Sequence, residues 1–179
     1  MSTVRTSATS VVALIGCIAL ASNGCTSVAP KLVPLGVPIA DTPNVPLEVV
    51  TRSTAVRDPL PVRGSEVVYG DIEAALGHAV SSATVSWADL HKAQRPDGWQ
   101  LTVEIVDADA YEQDGGRLIV QLNVRGTLRT RVGNGYLAQT QASCNQTGLV
   151  TPENGAPVLY NCMTRIGRDL SNWLAGVEP

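Results

Sequence analysis

Four cysteines, two histidines and one acidic run are the residues of this chain whose types and spacing could carry chemistry. Cys25 stands in Ser22-Asn23-Gly24-Cys25-Thr26-Ser27, where a small residue before a cysteine suits cleavage followed by acylation of the thiol. The preceding run, Ala8 to Ala21, is apolar but only 14 residues long, short of the roughly 20 that a membrane-spanning helix needs. With Arg5 ahead of it and small residues behind, it reads as a secretory signal. Two other cuts compete. Ala19-Leu20-Ala21 would leave a soluble secreted or periplasmic protein, and Leu14-Ile15-Gly16-Cys17 is a second lipobox-like site.

Cysteine parity favours Cys25. Cleavage there removes Cys17, acylates Cys25 and leaves Cys144 and Cys162 as one pair. Either other cut leaves an odd thiol in an oxidising compartment. The expectation is a signal peptide over residues 1–24, lipid on Cys25 and a Cys144–Cys162 disulfide. Thr26-Ser27 follows the cysteine where an inner-membrane retention signal would place Asp, which points to the periplasmic face of the outer membrane.

The remaining chemistry is sparse. His78 falls opposite the apolar stripe of its helix, and His91 lies in the link before the next strand. No Gly-x-Ser-x-Gly elbow, His-Glu-x-x-His pair or phosphate-cradling glycine loop is present in the sequence. His91 is the residue around which a Ser–His–Asp set would have to assemble in space. The run from Asp107 to Gly116 begins like a calcium loop, but Tyr111 stands at a ligand position and Leu118 replaces the closing Glu. No catalytic residue, metal site or cofactor is expected. A net charge of −3 without a Lys or Arg cluster argues against nucleic acid.

The elements that would position these residues follow from periodicity. Pro30 to Pro46 holds five prolines in 17 residues, so residues 25–46 read as a lipidated cysteine and an extended tether. Residues 47–179 then form a single domain. Leu47–Arg52 reads as a first strand, and Val68, Ile72, Ala75, Leu76, Ala79, Val80 and Ala83 as one helical stripe capped by Ser65. Gln100–Ala110 is a strand, Asp114-Gly115-Gly116 a hairpin turn, and Leu118 to Arg129 alternates apolar with polar. Gly133-Asn134-Gly135 turns the chain again into Tyr136–Cys144. A last helix carries Leu159, Cys162, Met163, Ile166, Leu170, Trp173 and Leu174. The expected fold is α+β: a small antiparallel sheet in the order strand, helix, three-stranded meander, helix, with two helices packed on one face.

The segment Asp114–Leu128 (DGGRLIVQLNVRGTL) and the ending Ile166–Leu174 (IGRDLSNWL), behind a lipid anchor and a proline-rich tether, resemble the ABC-type transport auxiliary lipoproteins. The lipoproteins of lipopolysaccharide assembly are similar in architecture. The resemblance implies a non-catalytic accessory lipoprotein of the bacterial envelope, supporting a transport or assembly complex of lipid-transport and membrane-integrity systems. Its partners would be the outer membrane, through the anchor, and envelope proteins, through a free sheet edge at the first strand or at Tyr136–Cys144. The rival reading is a small periplasmic hydrolase centred on His91.

Overall fold

The computed structural model describes residues 29–36, 46–54, 56–91, 98–132 and 135–177. Cys17 and Cys25, and with them the signal-peptide and lipidation expectations, lie outside these residues.

Among the described residues a seven-stranded mixed sheet carries two long helices. The strands are β1 (Lys31–Pro34), β2 (Leu47–Ser53), β3 (Leu60–Arg63), β4 (Val67–Gly70), β5 (Trp99–Gln113), β6 (Arg117–Thr130) and β7 (Tyr136–Gly148). The helices are α1 (Ile72–His91) and α2 (Ala156–Ala175), the second preceded by a 3-10 turn at Pro152–Asn154. Across the sheet the order is β1-β4-β3-β5-β6-β7, and β2 pairs with the first half of β5 on the side where β3 pairs with its second half.

The sheet is therefore larger than the small antiparallel one expected, and mixed. The expected meander is present as β5, β6 and β7, antiparallel throughout. The difference arises on the other side of β5. There β2 runs parallel to it from Leu47 opposite Trp99 to Ser53 opposite Ile105, and β3 runs parallel at Val62 and Arg63. A parallel pair needs a crossover connection, which β3, β4 and α1 provide. Strands β1, β3 and β4 are four residues each, too short to show a period of two convincingly, and two of them contain proline. Lys31–Pro34, inside the expected tether, pairs in parallel with β4, and the adjoining Leu35 is buried.

Helix α1 begins four residues later than the apolar stripe suggested. Val67 and Val68 belong to β4, and Asp71, with φ of 62°, breaks the chain between strand and helix. Such a φ is unusual outside glycine, and Asp is among the residues that tolerate it. Ser65 is no helix cap: its Oγ accepts from the Val67 amide within the β3–β4 turn.

One face of the sheet and the facing sides of both helices form the core. Trp99, Leu101, Val103 and Ile105 of β5 and Leu118, Val120, Leu122, Val124 and Leu128 of β6 are buried. Against them lie Ile72, Ala75, Leu76 and Val80 of α1 and Leu159, Met163, Ile166 and Leu170 of α2. Gly167 sets how closely the helices approach, since a Cβ there would lie 2.8 Å from the Ala79 carbonyl oxygen.

Candidate functional site

His91 ends α1 as part of an aromatic cluster. Its ring stacks on Trp87 at 4.5 Å and meets Trp99 edge-on at 6.3 Å, while Trp87 and Trp99 contact each other at 5.3 Å. Nδ1 lies 2.8 Å from the Trp87 carbonyl oxygen and donates to it. In a catalytic imidazole that position is usually held by a carboxylate that fixes the tautomer. Here the donor goes to the histidine's own helix, and the half-buried ring packs against the two tryptophans. His78, expected on the solvent side of α1, is half-buried.

The acidic run is drawn out along β5 rather than folded into a loop. Asp109 is ion-paired with Arg63, whose guanidinium also lies 5.2 Å over the Tyr111 ring. Asp107 lies 3.4 Å from the Asn123 side-chain amide. Only Asp114, Gly115 and Gly116 turn, both glycines having positive φ. Among the described residues no group of three or more potential ligands gathers as a metal site. A shallow cavity of about 200 Å³ lies between the β2–β3 connection and β5, lined by Arg57, Leu60, Arg63, Asp107 and Asp109 among others. It thus includes the ion pair just described.

Cys144 of β7 and Cys162 of α2 are joined as a disulfide, their Cα atoms 5.6 Å apart. Both are buried. The alternation of β7 turns Cys144 inward, and the apolar stripe of α2 turns Cys162 to meet it. The bond ties the last helix across the outermost strand of the meander.

That strand is the most distinctive surface of the molecule. Its inward side pairs with β6 over nearly its full length, from Gly148 opposite Leu118 to Tyr136 opposite Arg129. Its outward edge pairs with no strand among the described residues. β7 is 13 residues long and contains neither a charged residue nor a proline. Gln139, Gln141, Ser143, Asn145 and Thr147 stand exposed in a single row on the face away from the helices. Natural edge strands are normally kept from pairing by brevity, charge, proline or cover. β7 has none of the first three.

The other edges carry those devices. β1 is four residues long, begins with Lys31 and ends with Pro34. β2 places Glu48 and Arg52 on the open face, where Arg52 and Arg125 flank Glu104 at 3.7 and 3.5 Å and Arg131 reaches Glu48 at 3.3 Å. Sequence reasoning reached β7 as a strand but ended it at Cys144, and it treated β2 as an equivalent edge. The missed signal was the complete lack of charge from Tyr136 to Gly148.

No family model matches the chain, and no curated protein matches it in sequence. Solved structures share its architecture. A Xanthomonas campestris protein of the family DUF330 superposes with a TM-score of 0.55 at 13% identity, covering 81% of this chain and 95% of its own. A Chlamydia trachomatis protein reaches 0.46 at 12% identity, covering 83% and 98%, and a minor lipoprotein of Acinetobacter baumannii reaches 0.38 at 9%, covering 72% and 91%. The first of these likenesses defines the class: this chain has the α+β fold of the Xanthomonas protein, over most of both chains.

Proposed function

We propose that the protein is a non-catalytic accessory lipoprotein of the bacterial envelope, held to the outer membrane through Cys25, that supports a transport or assembly complex by offering the β7 edge to a partner strand. The observation that carries this reading is the long, uncharged, proline-free edge. Its row of main-chain donors and acceptors can add a strand at little desolvation cost, and its uncharged side chains repel no partner. The Cys144–Cys162 disulfide supports export, because such bonds persist in oxidising compartments. ABC-type lipid transport is the finer reading, and it rests on the resemblance of Asp114–Leu128 and Ile166–Leu174. Packing of His91 into the Trp87–Trp99 cluster favours this reading over a hydrolase.

Two experiments test it. Photo-crosslinking from position 139 or 141 in intact envelopes should yield adducts with a component of a transport or assembly complex. Recovery of no envelope partner overturns the accessory role. Separately, Cys25→Ser should abolish labelling by a palmitate analogue and release the protein from membranes, while Cys17→Ser leaves both intact. Labelling that survives Cys25→Ser moves or removes the anchor.

A further inference from the structure

Strand β1 changes what the segment after Cys25 can do. Among the described residues the first strand begins at Lys31, six residues beyond Cys25, instead of at Leu47. Six residues of fully extended chain reach on the order of 20 Å. A tether ending at Leu47 would have reached on the order of 70 Å. The short leash leads into the strand that is outermost on one side of the sheet among the described residues. There Leu32 is 59% exposed, and Lys31 is exposed next to it. Consecutive strand residues project to opposite faces, so this edge carries hydrocarbon over Gly70 on one face and an ammonium on the other, and at a phospholipid surface the first settles toward the acyl boundary and the second among phosphates.

We infer that the β1 edge rests on the phospholipid headgroup layer and that the β7 edge consequently faces away from the membrane. The inference rests on the reading of Cys25 as lipidated. The sheet order places β1 and β7 at opposite ends, five strand spacings apart, which is about 24 Å at 4.8 Å per spacing. One edge is thereby committed to lipid, and the edge without charge or proline is presented to proteins in the periplasm.

The test uses the full-length chain in its own membranes, with a photo-crosslinking residue placed singly at positions 32, 66, 139 and 143. Lipid adducts are expected at 32 and at 66, in the β3–β4 turn beside Lys31, and not at 139 or 143 on β7. Inserting about 20 Gly/Ser residues between Val28 and Ala29 lengthens the reach to on the order of 85 Å. Palmitate labelling should persist in that variant, while the lipid adducts at 32 and 66 are lost. Labelled Cys25 with equal lipid adducts at both edges, or adducts only on β7, overturns the orientation and leaves the anchor standing. Adducts at 32 and 66 that are unchanged by the insertion also overturn the leash as their cause. Absence of label on Cys25 sinks the anchor, and the orientation with it.

Discussion

The β1 and β7 edges belong to one sheet and are built on opposite plans. β1 is short, enters with Lys31 and closes on Pro34, so that it can accept little further pairing. β7 runs for 13 residues without a charge or a proline, and its outward side chains are amides and hydroxyls. A sheet that needed only to stay soluble would guard both. The contrast teaches that stability does not explain the composition of β7, because every device that protects an edge is compatible with the same inward-facing residues.

The two edges are also held down differently. β7 is stapled to α2 by the disulfide. Cys144→Ala with Cys162→Ala should lower stability by about 2–5 kcal/mol, read from urea unfolding of the oxidised parent against the double variant. An unchanged midpoint would mean that pairing with β6 alone holds the strand.

The guarded side is held by Tyr69 of β4, which is fully buried and whose hydroxyl donates to the Pro152 carbonyl oxygen at 2.7 Å. Burial, reinforced by the nearby Glu153, pushes this hydroxyl up to about 12. An unfolded tyrosine ionises near pH 10, so the contribution is complete below pH 10 and is lost as pH rises through about 12. A difference of about two units corresponds to about 2–3 kcal/mol across that window. Tyr69→Phe should remove this alkaline dependence and lower stability at neutral pH by about 1 kcal/mol through the lost hydrogen bond. Stability profiles from pH 8 to 12 for both proteins check the sign.

Helix packing beneath both edges gives a comparable effect. Gly167→Val would press a side chain against Ala79 and Ala83, and overpacking of this kind costs about 1–3 kcal/mol. Thermal unfolding measures it. Gln139→Lys places on β7 the kind of charge that β1 already carries. It should alter stability by no more than about 0.5 kcal/mol while sharply reducing crosslinking to a protein partner. If the Lys variant crosslinks as well as its parent, the edge is not the docking surface.

The meander and the last helix were legible in the chain because their signals are local. Leu118 to Leu128 alternate for long enough to define both a strand and its buried face. Leu159 to Leu174 recur at helical spacing, and Asp114-Gly115-Gly116 supplies positive φ at a turn. Cys144 and Cys162 each fell in phase with an apolar face, so their meeting was readable once those faces were packed together. Four-residue strands, by contrast, offer two inward positions each, and Lys31–Pro34 looked like tether because proline ordinarily opposes sheet pairing.

Residue type and spacing alone set the buried faces, the cysteine parity and the lack of charge along β7. Tertiary structure alone decided which strands become neighbours. The parallel pairing of β2 and β3 with β5, the capture of β1 by β4 and the meeting of Trp99 with Trp87 and His91 depend on contacts between different elements. Main-chain pairing of that kind is written in no side-chain pattern, because every residue except proline carries the same amide and carbonyl. Which edge is left open is settled only after all the other strands have found their places.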